Sequence, residues 1–140
     1  MIYQHILLAV DLSDDYDYLI DKSKQIVKAF QSRFSLISVI PAEVTFSNLL
    51  SFDGEKQITE SVNQTMKNIL NDLSLVIEDY QLIKGNPKSN IVTYIREKQI
   101  DLVILGNRRH HHLIKLLTGS TSDSILNNSL CDVIFVTPDN

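Results

Sequence analysis

Five short apolar runs divide the chain, and between them the apolar residues fall into helical spacing. The runs are HILLAV (His5 to Val10), FSLISVI (Phe34 to Ile40), YQLIK (Tyr80 to Lys84), DLVILG (Asp101 to Gly106) and DVIFVT (Asp132 to Thr137). Each is too short for a helix, rich in branched side chains and close to continuously apolar, which predicts strands covered on both faces. The intervening segments have a different period. Leu19, Ile20, Ser23, Ile26, Val27 and Phe30 share one helical face, and Ile58, Val62, Met66, Ile69, Leu73, Val76 and Ile77 mark a long amphipathic helix. Ile91, Ile95 and Val92 mark a third helix, opened by Pro87, and Ser122 to Asn128 a short fourth.

The punctuation agrees with this division. Asp11-Leu12-Ser13-Asp14-Asp15 ends the first strand, with Ser13 as a candidate N-cap ahead of acidic first-turn residues. Pro41 closes the second strand, and Gly85-Asn86-Pro87 the third. From Ala42 to Gly54 no period holds, so this stretch reads as a long loop or a short irregular helix. Strands alternating with helices predict a parallel sheet with helices on both faces, the doubly wound α/β architecture. No repeat or linker interrupts residues 1–140, which form one domain.

Composition narrows the function classes. A chain of 140 residues is one domain's worth, and its net charge of −4 argues against a nucleic-acid or acidic-membrane binder. Cys131 is the single cysteine, so no internal disulfide forms, as suits a reducing compartment. No apolar run is long enough to span a bilayer, and the first residues lack the pattern of a signal peptide. A cytoplasmic protein is the expectation.

In a doubly wound sheet, ligands bind beyond the carboxyl ends of the strands. The residues there are Asp11, Ile40-Pro41, Gly85 and Gly106, with Gly119-Ser120 starting a helix close behind the fourth strand. The turn after the first strand has no glycine, so it is not a dinucleotide fingerprint, and no Gly-x4-Gly-Lys-Ser/Thr loop occurs. A phospho-acceptor receiver would need clustered acids after the first strand, an Asp after the third and a Lys after the fifth; Lys84-Gly85 and Thr137-Pro138 stand at the latter two places. What remains is the loop from Gly106 to Ser120. Gly106 can take a positive φ and admit a phosphate to the backbone, and free N–H groups at Gly119 and Ser120 favour an anion. A plainer reading stays open, in which Gly106 only ends a strand and Thr118 or Ser120 only caps a helix.

HILLAVDLS at the start, and DLVILG followed by Gly119-Ser120 and DVIFVTP at the end, resemble the universal stress protein family over essentially the whole chain. That resemblance implies a five-stranded parallel sheet of order 3-2-1-4-5 and a homodimer. ATP-binding members carry Gly-x-x-Gly-x9-Gly-Ser/Thr, which falls here on Gly106, Arg109 and Gly119-Ser120, so a cation replaces the second glycine. Asp11 then corresponds to the residue that contacts the nucleoside, and Ile40 to the one whose backbone faces the base. Asp11-Leu12-Ser13 and the histidine-rich loop are similar to the universal stress protein A branch, which implies a stress-response role without robust ATP binding. The expected function is a non-enzymatic homodimer with weak or no ATP binding. The alternative is an ATP-binding switch with at most slow hydrolysis.

Other residues carry weaker signals. His110, His111 and His112 are consecutive and cannot converge on one ion, and no second His/Cys cluster completes a set, so no metal is expected. Arg108, Arg109, the histidines and Lys115 form either a solvated loop or an anion-attracting rim. Leu113, Ile114, Leu116 and Leu117 either pack as helical turns or face a partner. Asp11 either caps the next helix or holds a ligand. Cys131 has no neighbour in sequence that would activate it. No residue pair makes an acid/base or nucleophile set. In the order implied by the resemblance the last strand lies at the sheet edge. Pairing Val133 to Val136 with a second copy would bury an otherwise bare apolar edge.

Overall fold

The computed structural model describes residues 2–12, 16–40, 54–84, 88–106 and 131–138. The strands are β1 (His5–Asp11), β2 (Arg33–Ile40), β3 (Asp79–Lys84), β4 (Leu102–Gly106) and β5 (Asp132–Val136). The helices are α1 (Asp17–Phe30), α2 (Gly54–Leu73) and α3 (Lys88–Glu97). All the strand pairs are parallel, in the order β3-β2-β1-β4-β5.

Alternation along the strands builds two cores. Ile6, Leu8 and Val10 of β1 face one way with Phe34, Leu36, Ile40, Leu102 and Ile104, and meet Leu19, Ile20 and Val27 of α1 and Val62, Met66, Ile69 and Leu73 of α2. Leu7, Ala9, Ile37, Val39, Val103 and Leu105 face the other way, against Ile91, Tyr94 and Ile95 of α3. Helices therefore cover both faces, as the near-continuous apolar runs require. Burying each such aliphatic side chain contributes roughly 1.5–3 kcal/mol, and the central strand β1 is buried along its whole length.

The edges depart from the sequence expectation. In β3 only Ile83 is buried, while Tyr80 and Leu82 are 54% and 39% exposed. β3 is an edge strand and lacks a neighbour on one side. The long helix is also shorter than its pattern. It ends at Leu73, where Ser74 takes a left-handed φ of 48°, so Val76 leaves the helical face and is 91% exposed while Ile77 still packs on the core. Periodicity alone could not register that stop, because serine is not the residue usually found there.

Helix ends are handled alike elsewhere. Gln31 after α1 and Gln99 after α3 both have φ 54°. Around each, two backbone bonds close the terminus: Ser32 N–H to Val27 O and Gln31 N–H to Lys28 O, then Ile100 N–H to Ile95 O and Gln99 N–H to Arg96 O. That pairing satisfies carbonyls left over at a helix end. At the other end of α1 the cap position belongs to Tyr16, which makes no side-chain capping bond. Ser13 lies outside the described residues, as do Ala42 to Asp53, Gly85 to Pro87 and the helix expected over Ser122 to Asn128.

Candidate functional site

The strand order creates one place where neighbouring connections leave the sheet in opposite directions. β1 has β2 on one side and β4 on the other, so the chain reverses its direction of travel between β1 and β4. Ile6, Leu7 and Leu8 pair with Leu102, Val103 and Ile104, and beyond the last of these pairs the two strands run on to Asp11 and Gly106. The carboxyl tips of β1 and β4 are thus neighbours in a parallel sheet, the arrangement that forms a ligand crevice in doubly wound folds.

Each described candidate residue stands at such a tip. Asp11 is fully buried, is in register with Val39 of β2, and is followed by a Leu12 N–H bond of 3.0 Å to the Val39 carbonyl. That bond keeps the backbone pairing going one residue past the strand and fixes where the Asp11 carboxyl sits. Ile40 ends β2 with its side chain 3% exposed in the α1–α2 core, which holds its backbone at the sheet rim. Gly106 ends β4 opposite Val136 of β5, and the missing Cβ leaves the backbone open to close approach. The structure therefore gathers Asp11, Ile40 and Gly106 at one end of the sheet. Gly119, Ser120, Arg109 and the three histidines lie outside the described residues. The arrangement sets a buried carboxyl and a glycine-bounded strand end at neighbouring strand tips.

Cys131, just before β5, packs beside Val133 against the α3 core. Burial pushes its thiol up to about 11, with the carboxylates of Asp132 and Asp101 adding to the rise. It is a protonated thiol at neutral pH, and a poor nucleophile. Among the described residues no three His, Cys, Asp or Glu side chains are placed to share a metal ion, and no helix is long and apolar enough to cross a membrane.

A second polar assembly escaped the sequence reading. At the amino end of the sheet His5, Ser35 and Tyr94 are buried, with His5 Nε2 2.7 Å from Ser35 Oγ and the Tyr94 hydroxyl donating to Asp79 Oδ2 at 2.9 Å. The available signal was the presence of His5 and Ser35 at places where the flanking strand residues are fully buried and apolar. A polar side chain inside such a run needs a partner.

The comparisons with known proteins agree with this geometry. The universal stress protein family profile matches residues 2–137. Universal stress protein A homolog 1 of Coxiella burnetii is 27% identical over 141 residues, with 97% of each chain covered. Universal stress protein A of Yersinia pestis is 27% identical over 143 residues, covering 97% of this chain and 93% of that one. Among solved structures, hypothetical protein MJ0577 superposes with a TM-score of 0.67 at 24% identity, covering 100% of this chain and 99% of the other. A universal stress protein in complex with cAMP gives a TM-score of 0.60 at 20% identity, with 98% of both chains covered. With the sheet order, the length and the profile match in agreement, the chain belongs to the universal stress protein family.

Proposed function

We propose that this chain is a non-enzymatic, cytoplasmic stress-response protein that works as a homodimer through protein partners and binds ATP weakly or not at all. The observation that carries this reading is Arg109 at the second glycine of the Gly-x-x-Gly-x9-Gly-Ser/Thr pattern, with Gly106, Gly119 and Ser120 kept. A side chain at that position takes the room that a glycine leaves beside the backbone, so the guanidinium would have to swing out or replace backbone donors with its own. No acid/base or nucleophile set is found among the described residues at the carboxyl end, where Asp11 stands beside apolar strand ends. For the dimer, the support is β5. It pairs with β4 on one side, and Phe135 is 47% exposed on an edge that an identical strand would cover.

The competing reading is an ATP-binding switch held by Asp11, Ile40, Gly106, Gly119 and Ser120. It is favoured by the position of Asp11 and Gly106 at adjacent strand tips and by the cAMP complex of a structural relative. A titration with ATP and Mg²⁺ followed by thermal unfolding separates the two. A ligand at a hundred times its Kd stabilises by about 2.7 kcal/mol. The proposal expects no such shift at millimolar nucleotide, and a clear shift hands the site to the switch reading. Sedimentation of the same sample is expected to give the mass of two chains; a single-chain mass removes the dimer.

A further inference from the structure

Three neighbouring strands begin at one corner of the sheet, each with a charged or titratable side chain at its start. His5 opens β1, Arg33 opens β2 in register with it, and Glu78 immediately precedes β3. Backbone bonds of 2.8 Å tie the corner together, from Arg33 N–H to the Gln4 carbonyl and from Glu78 N–H to the Phe34 carbonyl. The three side chains line one pocket of about 410 Å³. Their burial is unequal. His5 is 3% exposed, whereas Arg33 and Glu78 each keep about half of the side chain in solvent.

Proton counting gives the contacts of His5 a direction. Its Nδ1 lies 3.2 Å from the Lys98 carbonyl oxygen, and its Nε2 lies 2.7 Å from Ser35 Oγ. A carbonyl oxygen only accepts, so Nδ1 carries the ring hydrogen of the neutral imidazole and Nε2 accepts from the Ser35 hydroxyl. An added proton therefore enters at Nε2. The anion beside that nitrogen is Glu78, whose Oε2 is 3.6 Å away. Its other oxygen, Oε1, is 3.4 Å from Arg33 Nη1. Glu78 thus stands between a permanent cation and a conditional one.

We propose that Glu78 is a proton-operated latch, held by Arg33 while His5 is neutral and drawn onto His5 Nε2 when the ring takes up a proton. The same proton ends the donation from Ser35, because Nε2 no longer has a lone pair to accept it. A charge-assisted bond from the imidazolium then competes with the longer contact to Arg33. Acid thereby ties the start of β1 to the entry of β3 and returns the Arg33 guanidinium to solvent at the pocket rim.

The groups around the ring set the balance. Burial lowers the proton affinity of His5 most, and Arg33 on β2 lowers it further. Glu78, the Lys98 carbonyl and Asp101 pull the other way. Asp101, just before β4, also accepts the His5 backbone N–H at 3.0 Å. At the start of β3 the Asp79 carboxylate accepts the Tyr94 hydroxyl of α3 at 2.9 Å. The Glu97 and Lys98 side chains, from the end of α3 and the turn after it, line the same pocket. Burial prevails, so the neutral ring is the resting form and acidification turns the latch.

The test is ¹⁵N NMR of the His5 ring across an acid titration, in the wild-type chain, Glu78→Gln, Arg33→Gln and the double variant. Both substituted side chains are half in solvent, so neither change opens a cavity in the core. The neutral wild-type ring should carry hydrogen on Nδ1 and none on Nε2. Glu78→Gln should weaken proton uptake by His5 about two- to fivefold, and Arg33→Gln should strengthen it by about as much. A latch adds a condition that a fixed field of charges does not. The gain on losing Arg33 should shrink once Glu78 is already Gln, because the released carboxylate is what the ring gains. Hydrogen on Nε2 in the neutral wild-type ring overturns the proposal. So does an unmoved midpoint in Glu78→Gln, or an Arg33→Gln gain that the loss of Glu78 leaves undiminished.

Discussion

The two ends of this sheet use the same strands in different ways. At the carboxyl end the chemistry lies where strands stop, at Asp11, Ile40 and Gly106, and depends on what the following turns bring. At the amino end it lies where strands begin, in His5, Ser35 and Asp79, with Tyr94 supplied by a helix packed across the sheet. A turn can gain or lose a ligand by one substitution without disturbing the core. Buried side chains such as His5 and Ser35 at the start of a strand cannot, because each needs its partner. The first end is suited to divergence. The second is bound into the stability of the fold.

Leu8→Ala is the severest way to break the comparison, since it strikes the strand both ends share. Leu8 is fully buried and sits between Leu36 and Ile104. Truncation there should cost about 2–5 kcal/mol, read as a lower denaturant midpoint with an unchanged slope. A loss well below that range would mean that the core relaxes around the gap.

A smaller effect separates the ends by pH. Burial lowers the folded-state pKa of His5 below the value of about 6.5 for a free side chain. Below that value the unfolded chain takes up a proton that the folded chain resists. The contribution of His5 is therefore whole above about pH 6.5 and is lost as the pH falls from there through its lower folded value. Urea unfolding at pH 7.5 and at progressively lower pH should show this loss, and His5→Gln should remove that portion of the slope. An identical slope in the variant would assign the acid sensitivity to carboxylates instead.

Sequence and structure agree best where one physical requirement dominated. The buried strands β1, β2 and β4 were legible because a strand covered on both faces has to be apolar throughout, and the sheet order followed from the family resemblance. The end of α2 was not legible. Val76 continues the helical period, yet a left-handed Ser74 turns the chain out before it. The exposure of β3 was missed because YQLIK alternates too weakly to show which side chains face out, even with the strand at the sheet edge. Asp11 and Gly106 could be placed at strand ends from the sequence, and their adjacency followed from the sheet order that the family resemblance implies. The His5–Ser35 and Tyr94–Asp79 contacts could not, since their members are apart in sequence and only the packing of strands and α3 brings them together.

We propose that Arg109, at the second glycine of the motif, is what makes ATP binding weak or absent in this chain. Calorimetric titration of ATP and Mg²⁺ into the wild-type chain and into Arg109→Gly tests it most directly. Affinity should be weak or unmeasurable in the first and distinctly higher in the second. Equal or weaker affinity in Arg109→Gly would contradict the claim.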